Sequence, residues 1–160
     1  MGGIELEFST RKMTEQYAIE ILGWKYEQPY ELYNNVLSGE AILELTRHSY
    51  KAILSEMKVV GFYCTGIDAQ VSAGHEVGAY QDDCIDIGLG MRPNLTGKGL
   101  GTKFLHYILK ELQAEYKGCI RLTVADFNKR AIHLYEKFNF VERHTFLRND
   151  MKFIVMVKED

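Results

Sequence analysis

The second half of the chain switches repeatedly between two hydrophobic periods, and each switch marks an element. Leu105, Ile108, Leu109, Leu112 and Tyr116 recur at i, i+3, i+4, i+7 and i+11, which predicts an amphipathic helix over 99–116. Ala131, Leu134, Tyr135 and Phe138 form a second such stripe, over 128–138, and Asn139 follows where a left-handed cap is expected. Between them, Ile120–Val124 is a compact apolar run that reads as a buried strand. Ile85–Met91 alternates as a strand, with Asp86, Gly88 and Gly90 on one face and Ile85, Ile87, Leu89 and Met91 on the other. Val141–Phe146 and Phe153–Val157 read as a hairpin turning at Arg148-Asn149-Asp150.

The first half is less regular. Glu5–Phe8 reads as a short strand, and Thr14–Leu22 as a helix, because Tyr17 and Ile21, like Ala18 and Leu22, lie four apart. Pro29 suits the start of a second short helix running to about Val36, stopped by Ser38-Gly39-Glu40. Ile42–Leu45 and Lys58–Thr65 alternate as strands, with room for another helical turn between 46 and 57. Gly66–Asp83 is polar and glycine-containing, either a long loop or an irregular hairpin, and loops of that length tend to border sites. The order is one strand, two helices, three strands, helix, strand, helix, two strands. It describes an α/β (α+β) chain with a mixed, mostly antiparallel sheet of about seven strands flanked by about four helices.

Composition narrows the classes. At 160 residues, 46% hydrophobic and 26% charged, the chain has the make-up of a soluble globular protein and fits one domain, 1–160. A formal charge of -3 without a polybasic run speaks against nucleic acid or a membrane surface as partner. The start of the chain lacks a signal-peptide pattern, and no apolar run approaches spanning length. The three cysteines, Cys64, Cys84 and Cys119, are an odd set in apolar, strand-like contexts and read as buried free thiols, which fits a reducing cytoplasm. The five histidines are dispersed, so no metal site is expected.

The candidate chemistry sits where the Ile85–Met91 strand gives way to the long helix: Arg92-Pro93-Asn94-Leu95-Thr96-Gly97-Lys98-Gly99-Leu100-Gly101-Thr102. Three alternating glycines leave the start of a helix free of Cβ atoms, and its unpaired N–H groups with the positive end of the dipole suit an anion. Lys98 is a supplementary cation. The bland reading is that the glycines merely permit a tight turn. The spacing fails as a P-loop, since no Gly-Lys-Ser/Thr closes it, and as a dinucleotide fingerprint, since it reads Gly-x-Gly-x-Gly and comes late.

With the helical Asn128 and Tyr135 and the closing Leu134-Tyr135-Glu136-Lys137-Phe138-Asn139-Phe140, this motif resembles the GNAT superfamily of N-acetyltransferases. Thr96 stands where that family's signature has Gln or Arg, and Asn139 where it has Gly. The resemblance is carried by about residues 84 to 142. It implies a sheet splayed between its central strands and an acetyl-CoA-dependent enzyme that moves the acetyl group to a primary amine by direct attack, without a covalent enzyme intermediate. The diphosphate would lie on the amides of Thr96–Thr102. The backbone at Met91, with Leu89 and Arg92 beside it, would meet the acetyl carbonyl and the neighbouring CoA arm.

Asn128 would hydrogen-bond the CoA arm, although an N-cap role is equally open to it. Tyr135 would protonate the departing thiolate, although a tyrosine in an apolar stripe is ordinarily core. Asp86, between two isoleucines, is the candidate base, partly desolvated; the bland alternative is an exposed strand carboxylate. Asp82, Asp83 and Glu76 are runners-up, and many members of the family use a water chain instead. Trp24, Tyr26, Tyr30 and Tyr33 fall where the family shapes its acceptor pocket; they either bracket an amine or pack helices on the sheet. The acceptor is a small-molecule or peptide amine, and a homodimer is one assembly the resemblance allows. The alternative function is a non-catalytic acetyl-CoA sensor.

Overall fold

A computed structural model describes residues 7–31, 37–96 and 99–159. Seven strands form a mixed sheet: β1 (Ser9–Lys12), β2 (Lys51–Ser55), β3 (Lys58–Thr65), β4 (Cys84–Met91), β5 (Cys119–Ala125), β6 (Phe140–Arg148) and β7 (Met151–Lys158). Their order is β1-β2-β3-β4-β5-β7-β6, so β1 and β6 are the edges. The α-helices among the described residues are α1 (Glu15–Leu22), α2 (Gly39–Arg47), α3 (Leu100–Glu115) and α4 (Lys129–Lys137). The chain divides into two compact units, one of residues 1–63 with 89–108, the other of 64–88 with 109–160.

In the first unit, β1, β2 and β3 are successive antiparallel neighbours, with Ser9 opposite Leu54 and Lys51 opposite Tyr63. The tight β2–β3 turn is made by Glu56 and Met57, both at positive φ. Thr14 caps α1, its hydroxyl accepting from the Tyr17 N–H. Ala18, Ile21 and Leu22 of α1 and Leu45 of α2 meet Ala52, Leu54 and Val59 of the sheet around Met13 and Trp24. A Cβ on Gly61 would lie 2.3 Å from the Phe104 ring, so only glycine lets the start of α3 approach β3 this closely. Phe8 meets Phe104 edge-on, and the hydroxyls of Thr10 and Tyr107 share a hydrogen bond of 2.8 Å.

In the second unit, β4 and β5 are parallel, with a register running from Cys84 opposite Cys119 to Ile87 opposite Leu122. β5 pairs antiparallel with β7, and β7 with β6. The β6–β7 turn is made by Asn149 and Asp150, both at positive φ, as the expected hairpin requires. Asn139 takes the left-handed conformation expected after α4, with φ 68°. The 66–83 segment is a loop holding two short 3-10 stretches, Gly66–Ala69 and Ser72–Val77. Its Ala79 packs on Phe146 and Val155.

Three sequence expectations are corrected. The first strand is Ser9–Lys12 rather than Glu5–Phe8, of which residues 5 and 6 lie outside the described residues. The run Ile42–Leu45 is helical: Ser38 caps it through the Ala41 N–H, and only the face bearing Ala41, Ile42 and Leu45 packs inward. The second strand is β2 instead, and Pro29 lies in a turn with a cis Gln28–Pro29 bond, while Leu32–Val36 of the expected short helix are outside the described residues.

A further correction concerns the cysteines. Cys84 and Cys119 form a disulfide, because they oppose each other at the first rung of the β4–β5 ladder with Cα atoms 4.7 Å apart. Cys64 is a free, buried thiol, as expected. Thiol titration of the unfolded, unreduced protein should therefore find one reactive thiol per chain, rising to three after reduction. Three thiols before reduction would show that the pair is not oxidised.

Candidate active site

The end of β4 is fixed within the first unit by three contacts. A Cβ on Gly90 would fall 2.4 Å from the Phe62 ring, so that ring lies directly on the strand's backbone. The Arg92 N–H donates to the Val60 carbonyl at 2.8 Å, extending the β3 pairing to the strand's last turn. The Tyr26 hydroxyl donates to the Met91 carbonyl at 2.7 Å. These bonds set directions. Across a trans peptide the Met91 C=O opposes the Arg92 N–H, so it points away from β3. In an extended residue the N–H lies on the same side as its own C=O. The Met91 N–H, and by alternation that of Leu89, is therefore turned away from β3.

Beyond β4 the chain makes a 3-10 turn, Pro93–Leu95, and enters α3. Within that turn both the Thr96 N–H and its hydroxyl donate to the Pro93 carbonyl, at 3.2 and 2.8 Å. The sequence counted Thr96 among the anion donors, but its amide is spent on the turn. Gly99 has φ 76°, a conformation that disfavours any other residue. The first N–H groups of α3, on Leu100, Gly101 and Thr102, have no helical acceptor by geometry. Gly97 and Lys98 lie outside the described residues. Arg92 reaches back to Glu20 of α1 at 3.9 Å, with both side chains partly in solvent.

In the second unit, Asn128 is the N-cap of α4: its Oδ1 accepts from the Ala131 N–H at 3.2 Å. Tyr135 lies two turns on, 9% exposed, with its ring edge-on to Phe140 at 5.9 Å.

Asp86 is where the structure departs most from the sequence reading. It is 2% exposed, and both its oxygens are taken by Arg121 of β5, Oδ1 by Nε and Oδ2 by Nη2, each at 2.7 Å. Gln70 Nε2 adds a third bond, 2.8 Å to Oδ2. Arg121 also donates to the Asp82 carbonyl at 3.0 Å and lies over the Tyr80 ring. The hydrogen bonds that Arg121 donates to Asp86 raise the Arg121 pKa above its ordinary value, against the opposing effect of burial. A carboxylate engaged in this way is a counter-ion, with no access for an incoming amine, so it leaves the list of catalytic candidates. It is also not the exposed strand carboxylate of the alternative reading.

Arg121 was missed, although a signal existed. Cys84-Ile85-Asp86 and Cys119-Ile120-Arg121 are parallel tripeptides that end in opposite charges. Once the cysteines pair, the charges must face each other on the same side of the sheet.

The aromatic candidates separate. Trp24 is a core residue, 8% exposed and packed near Phe62 with centroids 6.3 Å apart. Tyr26 serves β4. Tyr30 is half-buried, at a turn its own N–H closes with the Glu27 carbonyl; Tyr33 lies outside the described residues. Among the described residues no cluster of His, Cys, Asp and Glu is arranged to hold a metal, and no helix is long and apolar enough to cross a membrane.

A sequence model of the acetyltransferase (GNAT) family matches residues 14–140. Among curated proteins none matches the chain. Solved structures share the fold at low identity. An uncharacterised protein from Bacillus halodurans has TM-score 0.76 and 17% identity, over 96% of this chain and 84% of that one. The aminoglycoside acetyltransferase AAC(6')-Ib, in complex with paromomycin and acetyl-CoA, has TM-score 0.72 and 18% identity, over 95% and 93%. A spermidine N-acetyltransferase chimera from Vibrio cholerae SpeG and hSSAT has TM-score 0.71 and 19% identity, over 94% and 94%.

The buried pair makes a prediction for stability. Arg121→Met strands a carboxylate in the interior and should destabilise by about 3–5 kcal/mol in urea unfolding. Adding Asp86→Leu should recover most of that loss. Equal stability of Arg121→Met and the native chain would show that the pair is open to water.

Proposed function

The chain belongs to the acetyltransferase (GNAT) family, and from that premise we propose that it moves the acetyl group of acetyl-CoA to a primary amine by direct attack. The observation that carries the reading is the Arg92–Val60 hydrogen bond, because it turns the Met91 N–H away from β3 at the end of β4. A donor held by the sheet and aimed where negative charge develops needs no reorganisation during the reaction. In this reading the Met91 amide, with that of Leu89, receives the acetyl oxygen as the carbonyl carbon becomes tetrahedral. The diphosphate is received by the amides of Leu100, Gly101 and Thr102, assisted by the helix dipole and by Lys98. Gly99 keeps that approach free of a side chain.

Asn128 both caps α4 and meets the CoA arm. Tyr135 gives its phenolic proton to the departing thiolate; a phenol near pKa ~10 and a thiol near ~8.5 are close enough for efficient transfer. With Asp86 closed off by Arg121, the acceptor's ammonium gives its proton to water, and the free amine that results attacks the carbonyl carbon. The acceptor is an amine of small-molecule or peptide size. Aminoglycosides and spermidine, named with the structural neighbours, are the first to try. Tyr30 is the aromatic candidate left for holding it. The reading treats residues 1–160 as one catalytic domain.

Calorimetry with CoA and thiol release from acetyl-CoA across an amine panel test this together. The native chain should bind CoA and turn over at least one amine. Tyr135→Phe should keep its CoA affinity within about twofold and lose turnover by about 10²–10⁴-fold. Undiminished turnover would remove Tyr135 as the acid. CoA binding without turnover on any amine would make the protein a sensor, and no CoA binding would end the proposal.

A further inference from the structure

The segment after α1 is built to hold the end of β4. Trp24 and Tyr26, two apart in the sequence, act on the end of that strand, the first through Phe62 and the second directly. Trp24 packs near Phe62, whose ring covers Gly90, and the Tyr26 hydroxyl bonds the Met91 carbonyl. Glu20, in the last turn of α1, faces Arg92. The Met91–Arg92 peptide plane is thus pinned from opposite sides: Val60 takes its N–H and Tyr26 takes its C=O.

The Tyr26 bond is unusual in what it replaces. A carbonyl on a central strand ordinarily finds its donor in the next strand. Here a side chain 65 positions earlier in the sequence supplies it. Without that hydroxyl the plane is held on the β3 side alone, and rotation about the Met91 backbone swings the neighbouring N–H.

We infer that Tyr26 is a positioning residue for acyl transfer: its hydroxyl holds the Met91 backbone so that the Met91 N–H keeps its aim at the acetyl oxygen. The inference rests on the proposed function. The sequence left Tyr26 either a wall of the acceptor pocket or a packing residue; here it becomes a brace of the donor that polarises the thioester. It also joins the segment nearest the acceptor candidates to the strand that activates the donor, so disturbing one disturbs the other.

The test is Tyr26→Phe, which keeps the ring and removes only the hydroxyl. Infrared difference spectra of acetyl-CoA labelled with carbon-13 at its carbonyl read polarisation directly, without an acceptor. Bound to the native chain, the carbonyl stretch should fall below its value in water; in Tyr26→Phe it should return part of the way. CoA affinity by calorimetry should stay within about twofold, at a stoichiometry near one that certifies the variant as folded. With an amine identified, kcat should fall about 10- to 100-fold at unchanged KM for acetyl-CoA, less than the loss of a whole oxyanion donor.

An identical stretch in the two proteins overturns the inference, as does an unchanged kcat. A native chain that binds CoA but leaves the carbonyl unshifted overturns it too, while leaving the CoA site standing. A native chain that binds no CoA overturns the proposed function and this inference with it.

Discussion

β4 is held differently along its two halves, and the candidate chemistry follows from that division. Its first four residues form a parallel ladder with β5, reinforced on one face by the Cys84–Cys119 disulfide and then by the Asp86–Arg121 ion pair. Its last residues are held by β3, by the Phe62 ring and by Tyr26. Two strong cross-links at the beginning of the strand and a brace at its end give the Met91 backbone a fixed direction, its N–H turned away from β3. A fixed direction is what an electrostatic catalyst requires of a dipole.

The same strand explains why a carboxylate in an attractive place is not a base. Removing one charge of a buried pair costs several kcal/mol, and three hydrogen bonds from Arg121 and Gln70 hold the Asp86 carboxylate away from any incoming amine. The pair belongs to a wider polar cluster under the 66–83 loop. Tyr80 bonds Thr123 and the Val71 N–H through its hydroxyl while its ring faces the Arg121 guanidinium. The long polar loop that the sequence placed beside a site covers an ion pair, through Gln70, Tyr80 and the Asp82 carbonyl.

What could be read from the sequence was local. The α3 stripe appears as buried Leu105, Ile108, Leu109 and Leu112, and the Asn139 and Asn149-Asp150 backbones follow from residue types that tolerate positive φ. The capping role of Asn128 was likewise foreseen. The errors come from short apolar runs and from distance along the chain. Ile42–Leu45 suits a strand or a helix equally, and only the Ser38 cap and the packing of Leu45 decide it. β2 conceals its alternation because a register shift at Ile53/Leu54 leaves residues 52–55 all buried. The partners of Asp86, Cys84 and Met91 are 35, 35 and 65 positions away, beyond the reach of any period. The roles of Tyr26 and Trp24 turned on such pairings, so composition alone left them open.

The outer strands bear on how copies of the chain can meet. β1 ends in exposed Arg11 and Lys12, while β6 exposes Glu142, Arg143 and Arg148 and is kinked by a register shift at Glu142/His144. Charges and a kink on an open margin oppose the docking of a foreign strand, since the newcomer would have to bury ions and follow an irregular backbone. Neither margin invites growth of the sheet from molecule to molecule, so self-association through helices or sheet faces is the route such edges leave open.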